Sequence, residues 1–418
     1  MAQLTDDCFA FSGPLLPIAE MERLIAERVV PVAETEDLPL RAAPGRVVAA
    51  AVVAAIDLPP FDNSAVDGYA VRHADLAAAH ESRLMIAARV TAGSAAARPI
   101  AAGQAIRIFT GAPMPAGADT VFMQEDCRVE GDAVIVPAGL ARGANRRLAG
   151  EDVRRQSVVL PAGRRLSAQD VALAAALGCT TVPVRRRVRV ALFSTGDEVV
   201  EPGATRASTA IFDANRYLLS ALLERLGADV TDLGILADDP QALARAVKAA
   251  ADKHDLVVTS GGVSTGEADH VRTAVEAIGT LVFWRVAIKP GRPVAMGVIG
   301  GAAFIGLPGN PAAVYVTFAR VVKPLFLRLA GASPQPSVAL PVRAAFAYRK
   351  KKGRREYVRV ALRTAPDGTI EAVKHAQDGA GVITSLTETD GLVELPEDAT
   401  TVEAGSTVGF LSYAALTA

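Results

Sequence analysis

The sequence lacks the features that would mark several protein classes. It has only three cysteines, Cys8, Cys127 and Cys179. Their odd number and wide spacing exclude a disulfide framework and a cysteine-rich metal site, and they fit a reducing compartment. Net charge is almost absent, with 44 Lys and Arg against 45 Asp and Glu, a formal −1. Binding of nucleic acid or of an anionic membrane through overall charge is thereby excluded, although local basic patches are not. Long hydrophobic runs are missing too: the most apolar stretch, 47–56, falls far short of the roughly 20 residues that cross a bilayer. The N-terminus carries Asp6 and Asp7 where a secretory signal would be basic, so a cytoplasmic protein is expected. There is no repeat period and no low-complexity tract.

What is present is the balance of a folded chain, half hydrophobic and 21% charged over 418 residues. At roughly 150 residues per domain, that length suggests about three domains. Residues 14–50 read as helical, with Ile18, Met21, Leu24 and Ile25 at helical spacing and Pro31 ending the run. Short apolar runs punctuated by Gly and Pro over 51–149 predict a β-rich module with strands near 106–110 and 134–136. A helix returns at 167–177, with Ser167 as N-cap and Gly178 as its stop.

The stretch 186–332 has a different grammar. Strands at 188–193, 229–236 and 256–259 alternate with helices at 213–226, 240–251 and 269–278. Strands near 293–298 and 302–307 follow, with a last helix from Pro311. That alternation predicts βαβ units and a mostly parallel sheet covered on both faces. After the Pro- and Gly-bearing link at 331–336, the last 85 or so residues return to short strands and read as a small β-barrel or sandwich.

In such α/β sheets ligands bind at the carboxyl ends of the strands, beside helix N-termini. Three turns at that edge concentrate glycine and hydroxyls. They are Ser194-Thr195-Gly196-Asp197-Glu198, then Ser260-Gly261-Gly262-Val263-Ser264 leading to Asp269, and Pro308-Gly309-Asn310-Pro311. Glycines admit an anion close to the backbone N–H groups, so a phosphate cradle is expected. Glu198, Asp238 and Asp269 gather at the same edge, where a divalent cation, Mg²⁺ by its hardness, would offset their repulsion. The segment carrying Arg285, Lys289 and Arg292 around a Pro-Gly turn is read as an oxyanion clamp. Basic runs at 185–187 and 349–352 are read as solvated edges or an anion rim, not as a nucleic-acid surface.

Eight motifs occur in series along the chain. They are Pro60-Phe-Asp-Asn-Ser-Ala-Val-Asp67-Gly-Tyr-Ala-Val, Thr110-Gly-Ala-Pro, Gly150-Glu-Asp152, the 194–198 turn, Asp238-Asp-Pro, the 260–269 segment, Lys289-Pro-Gly-Arg-Pro and Gly306-Leu-Pro-Gly-Asn-Pro311. Their order and spacing resemble the molybdopterin molybdenumtransferase family, that of MoeA and the gephyrin E domain.

That resemblance implies an α/β multidomain subunit of four domains. These are a discontinuous linker domain of 1–50 and 150–185, a β-rich module of 51–149, a molybdopterin-binding α/β domain of 186–332 and a C-terminal β-barrel of 333–418. It implies insertion of molybdate into adenylylated molybdopterin with release of AMP, a need for Mg²⁺, and an elongated homodimer whose site is shared between subunits. By motif match, Asp67 and Thr110 would come from the partner's β module, and Glu198, Asp238, Asp269, Lys289, Pro308 and Pro311 from the α/β domain. Asp152 matches an acidic position near the linker. Arg354 in Gly353-Arg-Arg-Glu-Tyr and Ser385 in Ile383-Thr-Ser-Leu would serve the molybdate site. Arg285 and Arg292 stand where relatives often carry lysine, which keeps the charge and changes its geometry. Other cofactor-biosynthesis proteins are expected partners. The alternatives are a molybdopterin adenylyltransferase and a non-catalytic scaffold of the same fold.

Overall fold

A computed structural model of the protein describes residues 15–262, 270–335 and 337–417. Its α/β domain is built on a six-stranded sheet. The spatial order is Asp229–Leu236, Arg189–Thr195, Leu256–Ser260, Ala302–Leu307, Pro293–Ile299, Thr280–Arg285. The first three ladders in that order are parallel and the last two antiparallel. The sheet is therefore mixed, and the physical reason is local. Pro293–Ile299 and Ala302–Leu307 are joined by Gly300 and Gly301 alone, both at positive φ. A two-residue link with that backbone closes a hairpin, whereas a parallel neighbour needs a long crossover.

Both faces are covered. Along Arg189–Thr195, Val190 and Leu192 pack on one side while Ala191 and Phe193 pack on the other, the period of two that a strand imposes. Helices Asn215–Leu226 and Pro311–Thr317 cover the first face, and helices Pro240–Ala251 and His270–Glu276 the second. The Pro240 helix starts on Asp239, whose carboxylate accepts the Ala242 N–H at 2.7 Å.

The helix near the N-terminus is shorter than its sequence suggested, Ile18–Arg28, and the chain then enters a strand, Thr35–Pro39. Its stripe of Ile18, Met21, Leu24 and Ile25 packs with Phe326 and Leu329 in the α/β core, not with the linker segments it was grouped with. The linker has its own small core of Ala43, Val48, Leu160, Leu166, Ala174, Val182 and Val184. Strand pairs Thr35–Pro39 with Thr181–Arg185, and Val52–Val53 with Val158–Leu160, join stretches more than a hundred residues apart around it.

The β module inserted between them carries a six-stranded sheet with apolar clusters on both faces. The C-terminal region closes a five-stranded barrel. Arg355–Thr364 pairs with Ile370–Lys374, which leads through Leu340–Ala344, Thr407–Ser412 and Gly391–Leu395 back to Arg355–Thr364. One further pairing positions the site: Ile288–Lys289, from the α/β domain, runs parallel to Arg355–Glu356 of the barrel. Among the described residues no helix is long and apolar enough to cross a membrane.

Candidate active site

The carboxyl edge of the sheet gathers the three glycine turns. Strand Leu256–Ser260 ends in Ser260, whose hydroxyl accepts from Asn215 Nδ2 at 2.9 Å and donates to the Pro308 carbonyl at 3.3 Å. The same Asn215 Nδ2 donates to the Gly309 carbonyl at 2.7 Å. One side chain in the first turn of a helix thus ties two of the turns together. The third is held by close approach. A Cβ on Gly261, at φ +91°, would lie 2.8 Å from the Thr195 carbonyl oxygen, and one on Gly262 would lie 2.9 Å from Thr195 Cγ2. Only glycine lets these two backbones meet.

Three polar atoms at this edge, Ser194 Oγ, Thr259 Oγ1 and Asn215 Oδ1, are buried with no hydrogen-bond partner among the described residues. Buried polar groups are nearly always paired, so three orphans at the mouth of an α/β sheet point to a polar ligand or water. The acids lie beside them. Asp238 Oδ1 accepts from Thr195 Oγ1 at 3.5 Å, and the exposed Glu198 carboxylate folds back over Gly196. Ser264 and Asp269 lie outside the described residues. Among those described, no three His, Cys, Asp or Glu side chains come together as metal ligands.

A basic cluster sits where the α/β domain meets the barrel. The parallel pairing of Lys289 with Glu356 brings their side chains together: Lys289 Nζ donates to Glu356 Oε2 at 3.2 Å and to the Tyr348 hydroxyl at 3.2 Å. Tyr348 donates to Glu356 Oε2 at 2.8 Å, and Arg354 Nε to Oε1 at 2.7 Å. Burial alone would raise the pKa of Glu356, but the bonds from Tyr348, Arg354 and Lys289 outweigh it and hold the carboxyl below its ordinary range. Burial would likewise lower Lys289, and Tyr348 and Glu356 reverse it, so the ammonium is held above the usual lysine value. Next to this cluster lies a cavity of about 260 Å³, lined by Lys289, Pro308, Asn310, Tyr348, Arg359 and Asp378 among others. Pro308 links the two parts, since its carbonyl takes the Ser260 bond while the residue lines the cavity.

The remaining predicted residues of the α/β domain and barrel are dispersed. Arg285 and Arg292 are exposed at the edge of the sheet, and no partner for either guanidinium occurs among the described residues. Pro311 occupies the first turn of its helix, as its fixed φ favours. Ser385 is fully buried and its hydroxyl donates to the Val382 carbonyl at 2.5 Å. It does not line the cavity, where the barrel contributes Gln377, Asp378 and Ala380 instead.

On the β module, Asp67 Oδ1 accepts both the Thr110 N–H at 2.8 Å and the Thr110 hydroxyl at 2.7 Å. These bonds, the backbone one first, pull the Asp67 pKa down. Among the described residues neither Asp67 nor Thr110 bonds to the α/β domain of its own chain. Asp152 is exposed, with its N–H donated to the Leu58 carbonyl at 3.0 Å.

Three successive regions match described families. Residues 16–178 match the MoeA N-terminal region (domain I and II), 191–328 a probable molybdopterin binding domain, and 341–413 the MoeA C-terminal region (domain IV). The chain is 38% identical over 380 residues to the molybdopterin molybdenumtransferase of Haemophilus influenzae, covering 90% of this chain and 93% of that one. The chain belongs to the molybdopterin molybdenumtransferase (MoeA) family. A second relative of that name, from Nostoc, is 37% identical over 384 residues, covering 90% of this chain and 88% of its own. The crystal structure of the molybdopterin biosynthesis moeA protein from Pyrococcus horikoshii superposes with a TM-score of 0.81 at 30% identity, over 96% of this chain and all of the other.

Against that MoeA background, sequence reasoning missed Asn215, Tyr348, Glu356 and Arg359. Asn215 carried a weak signal, an amide opening a helix after a long polar loop. The other three carried none, because their importance arises from contacts between distant segments.

Proposed function

We propose that the chain transfers molybdenum to molybdopterin in cofactor biosynthesis, inserting molybdate into adenylylated molybdopterin with release of AMP. The observation that carries this reading is the continuity, through Pro308, between a glycine-turn edge with orphaned donors and acceptors and a cation-lined cavity. The first suits a phosphate-bearing substrate and the second a small oxyanion. Two anions must be brought together against their repulsion, so positioning and charge neutralisation are the protein's main contributions.

The residues have separable tasks in this reading. The N–H groups of Gly261, Gly262 and Gly309, with Ser260 and Ser264, receive phosphate oxygens, and Asn215 sets the spacing of their turns. Lys289 and Arg354 face the oxyanion, and Arg292 adds charge at the rim. Glu198 and Asp238 offer the hard oxygen donors that Mg²⁺ prefers, and Mg²⁺ is commonly held by one or two carboxylates together with substrate phosphates. Asp269 would complete that set. When bound, the ion supplies charge neutralisation at the adenylyl phosphate. Asp67 and Thr110 would approach from the β module of a second copy, in a homodimer with shared sites, since their own α/β domain does not reach them. Other cofactor-biosynthesis proteins would deliver the substrate, and the work would be done in the cytoplasm.

The test is AMP release from adenylylated molybdopterin by the purified chain, with and without molybdate. Molybdate-dependent release is expected. Release without molybdate, or none at all, overturns the reading. Asp269→Asn is expected to abolish release with the fold intact by circular dichroism.

A further inference from the structure

Two arginines of the β module are held side by side with no acid between them. Arg89, in strand Ser82–Val90, lies opposite Arg107, in strand Gln104–Ile108, across a parallel ladder. Their Cζ atoms each sit 4.7 Å from the centroid of the Phe109 ring, so the two charges are no further apart than twice that distance. Arg107 Cζ also lies 5.1 Å from the centroid of Tyr69, its neighbour on the other side in strand Gly68–Val71. Among the described residues neither guanidinium has a carboxylate within ion-pair distance. Arg107 is fixed by other means: Nη1 donates to the Gly68 carbonyl at 3.0 Å and Nη2 to the Gln124 side-chain oxygen. Arg89 is exposed, and its contact among the described residues is the Phe109 ring. Like charges side by side on neighbouring strands repel, and a cation–π contact at an exposed site returns little, so the pair is arranged against its own electrostatics. An anion arriving between the two would reverse that. A guanidinium stacked on a ring keeps its N–H donors in its own plane, the fork that phosphate oxygens accept in pairs.

The ring that carries both cations is the residue before Thr110, and the carbonyl that anchors Arg107 belongs to Gly68, the residue after Asp67. Arg107 is also close enough for its charge to help hold the Asp67 carboxyl low. The pair therefore shares an edge with the two residues assigned above to the site of a second copy. That site has the opposite imbalance. Its glycine turns offer N–H groups and hydroxyls, Asp238 and Glu198 lie beside them, and the bonds that join two of the turns come from the neutral Asn215. We propose that Arg89 and Arg107 form a clamp for a phosphate group of the substrate, brought by the β module of one copy to the glycine turns of the other. The inference rests on the function proposed above and adds to it the residues that neutralise the phosphate from the side facing the turns. Adenylylated molybdopterin carries its phosphates as a linked pair, so the N–H cradle and the arginine clamp divide a charge that neither meets alone. Arg89 and Arg107 are then substrate-binding residues, and Phe109 and Tyr69 are positioning residues that set the planes of the two guanidinia.

The experiment titrates the full chain calorimetrically with AMP and with adenosine, which lacks the phosphate. Arg89→Met is the first variant, because that side chain is exposed and its loss should leave circular dichroism and melting temperature unchanged. AMP affinity is expected to fall about 10-fold, near the lower end for a hydrogen bond to a charged group. Adenosine affinity should be unchanged, and AMP affinity should decline less steeply with added salt than in the wild type. Arg89→Lys should recover part of the AMP loss, as a point charge without the fork. Phe109→Leu keeps both cations and removes the ring between them, so AMP should weaken about threefold, the scale of an exposed cation–π contact, and adenosine not at all. Wild-type AMP affinity in Arg89→Met overturns the proposal, as does a wild-type chain that binds no AMP. So does an equal loss for AMP and adenosine, which would make the row a stacking surface for the base. A shift from dimer to monomer at unchanged AMP affinity also overturns it, by making the row a contact with acids of a second copy. Molybdate-dependent AMP release at the wild-type kcat/KM in Arg89→Met sinks the clamp and leaves the function standing. Arg89-dependent AMP binding by a chain that releases no AMP sinks the function and leaves the clamp.

Discussion

Asp67 and Glu356 are both carboxylates held ionised by short bonds, yet their settings are opposite. Asp67 lies half-buried on the β module, and a single residue, Thr110, gives it both a backbone and a side-chain bond. Glu356 is 1% exposed and is met by three side chains from two domains, Lys289, Tyr348 and Arg354. Both oxygens of buried Glu356 are bonded inside the protein, so it organises cations and is not presented to a ligand. Asp67 is preorganised and still has an oxygen free to act on one. A lowered carboxyl pKa alone therefore does not separate a scaffold residue from the working role proposed for Asp67, and the count and origin of the partners are what distinguish the two settings.

The sharpest way to break that contrast is Asp67→Asn. Activity should fall about 100-fold, as when one charged group aimed at a reaction is removed, with an unchanged melting temperature by calorimetry. A large drop in melting temperature would move Asp67 into the scaffold class. Glu356→Ala should do the reverse and destabilise by about 2 kcal/mol in a urea melt. That is less than the 3–5 typical of breaking a fully buried pair, because Lys289 and Arg354 keep 44% and 30% side-chain exposure.

The pH dependence sharpens the distinction further. Glu356 is lowered from 4.5, so its stabilising contribution is present above that value and is lost as pH falls through the lower folded-state pKa. Urea stability of the wild type should decline with acid below about pH 4.5, and Glu356→Gln should flatten that decline. The smallest effect is expected for Thr110→Val, which removes the hydroxyl bond to Asp67 and keeps the N–H bond. About a fivefold loss of activity, in line with a net hydrogen bond of roughly 1 kcal/mol, would show that Thr110 orients Asp67. A loss matching Asp67→Asn would place the hydroxyl itself in the chemistry.

How much of the site could be read in advance differs residue by residue. Gly261, Gly262 and Pro311 were legible because left-handed backbone, close approach and the first turn of a helix each demand particular residue types. Lys289 was legible as a charge, and its partners were not, since a two-residue parallel ladder to the barrel brings Glu356 to it across 67 positions. Ser385 shows the converse, a residue type that the sequence offers and a hydroxyl whose direction only the fold sets. A serine in a matching segment looked like a ligand, and the short helix Thr384–Thr387 turned its hydroxyl back on its own backbone. The mixed sheet was hidden in Gly300-Gly301, a link too short for the crossover that alternating strands and helices had suggested.

The amino-acid order by itself determined the local units: strands of period two, helices with their caps and stops, and turns where only glycine fits. These depend on steric and hydrogen-bonding rules that act within a few residues. The tertiary structure alone decided which charges meet. It buried Glu356 between two cations, left Arg359 lining a cavity with no carboxylate bonded to it among the described residues, and carried the N-terminal helix onto the α/β core. Electrostatic pairing depends on distance through space and on exclusion of water, and a linear chain specifies neither until it has folded.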